Sequence, residues 1–172
     1  MRSMWKAALF MALALGSGKA YAQCTYTSNW DFENGTASWT KTQGYFGNVE
    51  NPSGSGNHWG VLRGASGYTS EITQSFTTTE GAGYYAFFLD TYLNVNVDPP
   101  PCTATLGWVS GGQTTMFTDT IPNGYNYGYV NHVFIIPAGY SSATAKISVT
   151  CNGLGRYVQV DNACIFFVGA LP

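Results

Sequence analysis

The residues of this chain that could carry chemistry are nine carboxylates, two histidines, four cysteines and a scatter of serines. Glycoside hydrolysis of the usual kind needs two carboxyl groups facing one bond, one of them protonated. No such pair stands out among Asp31, Glu33, Glu50, Glu71, Glu80, Asp90, Asp98, Asp119 and Asp161. The serines lack the Gly-x-Ser-x-Gly elbow that exposes a nucleophile. His58, beside Trp59, and His132, within Tyr129-Val130-Asn131-His132-Val133, read as strand residues, and without a Cys-x-x-Cys pair they do not make a zinc site. These residue types predict a chain that binds rather than one that turns over a substrate.

The elements that would hold a binding surface begin with an export signal. Arg2 and Lys6 precede an apolar run from Ala7 to Leu15, and the small-residue pattern Ala20-Tyr21-Ala22 follows. That order predicts a signal peptide over residues 1–22 and one domain over 23–172. The apolar run is about half of the ~20 residues that a membrane-spanning helix needs. Without residues 1–22 the basic residues are Lys41, Arg63, Lys146 and Arg156, four cations against nine acidic residues, a formal charge of −5. Four scattered cations cannot neutralise a run of phosphates, so nucleic acid and anionic membranes are excluded as expected partners. Cys24, Cys102, Cys151 and Cys164 all follow the signal, and an even number in an oxidising compartment predicts two disulfides. Asn34-Gly35-Thr36 is the one N-glycosylation sequon, which makes Asn34 the expected acceptor.

After residue 22 the apolar residues do not keep helical spacing. Runs rich in β-branched and aromatic residues recur between Gly, Asn, Pro and Ser clusters, predicting an all-β chain. Strands are expected over 38–42, 45–50, 58–63, 69–77, 83–95, 103–109, 113–119, 127–136, 143–151 and 156–168, the pattern of a β-sandwich or jelly roll. Segment 84–93 is apolar on both alternating sets, which places it inside a sheet, with the core on one side and a second surface on the other. Asp90 belongs to that second surface, because a lone carboxylate does not face a packed core.

Asn29-Trp30-Asp31-Phe32-Glu33-Asn34-Gly35, followed by Trp39, resembles the opening of carbohydrate-binding-module-like, galactose-binding-like jelly rolls. Tyr157-Val158-Gln159-Val160-Asp161-Asn162-Ala163 is similar to their closing strand. The cysteines at Cys102 and Cys151 look like the version common in secreted fungal proteins. The resemblance covers nearly all of 24–168 and implies two antiparallel sheets with the first and last strands adjacent. It further implies the pairs Cys24–Cys164 and Cys102–Cys151. A structural calcium site is also implied, with Glu33 and Asp161 as ligands.

Four tryptophans (Trp30, Trp39, Trp59, Trp108) and eleven tyrosines remain after the signal, and flat rings with short polar groups suit sugars. Trp30 and Trp39 are expected in the core. Trp59, Phe88, Tyr92 and Trp108 are the candidate ligand residues, with Arg63 and Asp90 as polar partners and Tyr125 and Tyr127 as a rim. The expected partner is a glycan or cell-wall polysaccharide bound without catalysis. The alternatives are a secreted effector that meets a host protein, and a binder or enzyme for an apolar small molecule.

Overall fold

The computed structural model describes residues 24–50, 57–93, 101–122, 127–153 and 155–172. The expected signal segment, the Asn51–Gly56 turn and Tyr125 lie outside them. Ten strands follow one another: β1 (Thr40–Gln43), β2 (Phe46–Glu50), β3 (His58–Gly64), β4 (Thr69–Thr77), β5 (Gly83–Tyr92), β6 (Cys102–Ser110), β7 (Gln113–Thr120), β8 (Tyr127–Ile136), β9 (Ser142–Cys151) and β10 (Arg156–Gly169). They form two antiparallel five-stranded sheets, ordered β1-β4-β9-β6-β7 and β2-β3-β10-β5-β8.

The core lies between the sheets because each inner strand turns one of its two alternating sets of side chains, the apolar one, toward the facing sheet. Ile72 and Phe76 of β4, Leu106 and Trp108 of β6, and Ile147 and Val149 of β9 meet Leu62 of β3, Tyr85, Phe87 and Leu89 of β5, and Val158 and Val160 of β10. The two apolar sets of β5 separate as expected. One enters the core, and Ala86, Phe88, Asp90 and Tyr92 take the outer face.

The first and last strands are not neighbours, which corrects the expectation. β1 pairs with β4, whereas β10 pairs with β3 and β5. What adjoins the last strand is the irregular segment before β1. β10 has β3 beside it only as far as Val160, and beyond a bulge at Asn162 the segment from Cys24 to Trp30 takes that place. The Ala163 amide donates to the Trp30 carbonyl, and the Thr25 and Tyr26 amides share the Ile165 carbonyl. The Cys24–Cys164 disulfide fixes this alignment, and Cys102–Cys151 joins directly opposed residues of β6 and β9.

The Asn29 side chain organises segment 29–39. Asn29, in the left-handed region at φ 49°, donates to the Gly35 and Ala37 carbonyls and accepts from the Asn34 amide. Its own carbonyl accepts from the Trp39 indole. The turn drives Phe32 into the core over Gly60, where a Cβ would lie 3.0 Å from the Phe32 ring. Gln74, buried on β4, clamps the same segment by bonding the Ser28 amide and the Ser28 and Ser38 carbonyls. Of the two tryptophans expected inside, Trp39 is in the core and Trp30 is half-buried outside it. Ser38, at φ 67°, delays β1 to Thr40.

Phe32→Ala is expected to lower the unfolding free energy by about 3 to 5 kcal/mol in denaturant titration, the loss from emptying a fully buried phenylalanine site. Gly60→Ala should destabilise in the same direction by pressing on that ring.

Candidate functional site

Of the residues expected to bind a ligand, five share one sheet face. Trp59 and Arg63 of β3 and Phe88, Asp90 and Tyr92 of β5 all lie on the outer face of the second sheet. Their rings are not free platforms. Trp59 and Tyr92 meet edge to face and are only 4% and 7% exposed, and Phe88 stacks on Phe166 of β10. Asp90 accepts a 2.7 Å hydrogen bond from the Asn162 amide group. Arg63 alone of the five is exposed.

Trp108 does not lie on this face. β6 directs it inward, where it is 4% exposed and packs 4.6 Å from Phe134. There it floors a groove of about 340 Å³ between edge strands β7 and β8, walled by Phe117 and Ile135. Tyr127 belongs to β8 by its backbone, across from Tyr92.

Beside β10 stands a group of carboxylates. Asp161 opposes Asp90 in register, and its Oδ1 is buried with no hydrogen-bond partner among the described residues. Burial raises its pKa to about 7 against the Asn162 amide bond that opposes the shift, and the charges of Asp90, Asp31 and Glu33 add to the rise. Glu33, the other expected metal ligand, is turned toward His58, whose amide it accepts at 2.8 Å and whose ring nitrogen lies 3.5 Å away. Among the described residues no three carboxylates, histidines or cysteines converge as a metal-binding set. His132 pairs with Asp119 of β7 at 2.6 Å, so each histidine meets one carboxylate.

The first sheet presents a different outer surface. Register aligns Thr69, Thr150, Thr103 and Thr120 in one row across β4, β9, β6 and β7, and Glu71, Ser148, Thr105 and Thr118 in the next. Hydroxyls join Thr69 to Thr150, Thr105 to Thr118 and Ser75 to Thr144 within 2.7 to 2.9 Å. At the centre Glu71 accepts from Thr42 and Ser148 and pairs with Lys146 at 3.2 Å. Burial alone would raise the Glu71 pKa; the hydrogen bonds from Thr42, Lys146 and Ser148 and the Lys146 charge outweigh it and hold the group below its ordinary 4.5.

This surface runs into a pocket of about 440 Å³ lined by Ser75, Thr77, Ser110, Ser142 and Thr144 and walled by Tyr140, which is 49% exposed. The Gly111-Gly112 turn makes the pocket, since a Cβ on Gly111 would lie 3.0 Å from the Tyr140 ring. Glu71, Lys146 and Tyr140 were not among the expected site residues. The alternating polar positions of Thr69 to Thr77 are the one sequence signal that marks this face.

No family model matches the chain, and no curated protein matches it in sequence. Solved structures do match in fold. A family 61 carbohydrate-binding module, solved with β-1,4-galactotriose, superposes with a TM-score of 0.64 at 15% identity, covering 84% of this chain and 98% of that one. A family 16 carbohydrate-binding module gives 0.60 at 15% identity over 83% and 99%. The enzymatically active domain of bacteriophage CBA120 tailspike protein 4 gives 0.60 at 16% identity, but this chain spans only 21% of its length. The fold is the β-sandwich jelly roll of carbohydrate-binding modules.

The raised Asp161 pKa means that the folded state takes up a proton the unfolded chain releases. Its stability contribution is full below 3.8 and is lost as pH rises through about 7. In chelator, Asp161→Asn should therefore raise Tm above about pH 7 and change it little below about pH 4. Glu71 has the opposite sign, its contribution being present above 4.5 and lost as the pH falls. Glu71→Gln should lower Tm at neutral pH, and the difference should close in acid.

Proposed function

We propose that this protein is a secreted, non-catalytic glycan-binding domain that lays a neutral polysaccharide along the outer face of its first sheet. The observation that carries the reading is the hydroxyl-rich surface around Glu71 and Lys146, leading into the pocket walled by the half-exposed Tyr140. A pyranose has an apolar C–H face and a rim of hydroxyls, so it needs one ring to lie on and fixed polar groups around it. Tyr140 supplies the ring. The Glu71–Lys146 pair, held by Thr42 and Ser148, presents an acceptor and a donor already oriented. The likeness in fold to carbohydrate-binding modules supports the same reading.

Affinity electrophoresis through neutral polysaccharides such as β-1,4-galactan or xylan, and depletion from solution by insoluble cellulose or chitin, test it. Retardation is expected from at least one of them. Tyr140→Ala should weaken it roughly tenfold, the effect of removing a stacking aromatic. If no neutral glycan retains the protein, the reading fails.

Export by the 1–22 segment and glycosylation at the exposed Asn34 belong to the same proposal. So does a structural calcium ion at the Asp161 carboxylate. Hard oxygen ligands are what calcium takes, and a buried carboxylate oxygen without a partner, under the charge of three neighbouring carboxylates, is relieved by a cation. Glu33 would have to exchange His58 for the ion. Added calcium should raise Tm, chelator should reverse the rise, and Asp161→Asn should abolish it.

A further inference from the structure

At the end of the second sheet away from the carboxylates, Arg63 stands among three exposed tyrosines. Its guanidinium lies 6.0 Å from the Tyr68 ring centre and 5.8 Å from that of Tyr157, its register partner on β10. Tyr45 meets Tyr157 edge to face at 5.6 Å. The tyrosines are 44% (Tyr45), 38% (Tyr68) and 56% (Tyr157) exposed, so these rings are not absorbed by the core as Trp59 and Tyr92 are. Among the described residues no carboxylate pairs with Arg63.

The place of the guanidinium is set by the backbone. Gly155, just before β10, leaves open the space that the group occupies, and a Cβ there would lie 2.7 Å from two of its nitrogens. The two ring contacts hold the guanidinium in place, and among the described residues no ion pair takes up its N–H donors. A planar donor fork in that state matches a carboxylate with two parallel hydrogen bonds. The tyrosine faces beside it suit the C–H face of the ring that carries the carboxylate. We propose that Arg63, Tyr45, Tyr68 and Tyr157 form a second glycan site, specific for a uronic acid residue. It is separate from the hydroxyl face: Arg63 and Tyr157 are on the other sheet, Tyr45 and Tyr68 are in connections between the sheets, and none of that face's residues is used.

The chain's own charge sharpens the test. With a net formal charge of −2, or −5 without its first 22 residues, the protein as a whole is repelled by a polyanion. Retention on one must therefore come from a local site. Affinity electrophoresis of the full secreted protein in polygalacturonate, dextran sulfate and neutral galactan separates the outcomes. Retardation in polygalacturonate is expected, and Arg63→Gln and Arg63→Lys should each weaken it roughly tenfold, since lysine keeps the charge but not the fork.

Gly155→Ala, which displaces only the flexible end of Arg63, should weaken retention while near-UV circular dichroism and Tm stay as in the wild type. Tyr140→Ala should leave this retention unchanged, so failure of the neutral-glycan reading does not carry over. Equal retardation in dextran sulfate overturns the uronate assignment in favour of plain anion attraction. Polygalacturonate binding that survives Arg63→Gln, or no binding at all, overturns the site.

Discussion

Everything in this sandwich depends on how β10 is flanked after it loses β3. A central strand with an open side would leave amides and carbonyls unpaired near the core, at a cost comparable to a lost hydrogen bond for each. The irregular segment 24–30 closes that gap with bonds to Ala163 and Ile165, and the Cys24–Cys164 bridge holds it there. Phe32 follows from this placement, since the turn shaped by Asn29 delivers it over Gly60. Gln74 then ties the segment to the opposite sheet through Ser28 and Ser38. One stretch without regular structure thus locks both sheets together.

Most of the fold was legible in the sequence because period-two alternation and turn residues are local signals. All ten strands lie within a few residues of their expected positions. Partner choice was less legible. The first and last strands were expected side by side, but β1 pairs with β4, and it is the irregular segment before β1 that adjoins β10 beyond Val160. Alternation also assigns residues to faces without saying which face is inside. Trp108 and Trp59 look alike in sequence, yet one enters the core and the other packs against Tyr92. The sites were less legible still, since Tyr140 and Gly111, or Arg63 and Gly155, meet only after folding.

The outer faces divide the work of a weakly charged surface. Hydroxyl ladders solvate the first sheet and cost little to rearrange, since each hydroxyl can donate or accept. On the outer face of the second sheet the Asp90–Asp161 carboxylates sit partway along β10, and Arg63 stands beside Tyr157 at the start of that strand. Fields of opposite sign are therefore held apart along one face, where a single mixed patch would have cancelled them.

The Cys24–Cys164 bridge, spanning 140 residues, also sets a force path. Tension applied between Cys24 and Cys164 passes through one covalent link and bypasses the strands between. Only tension between the two cysteines is carried on sulfur; load applied to a sheet face still passes through the hydrogen-bonded ladders of that sheet.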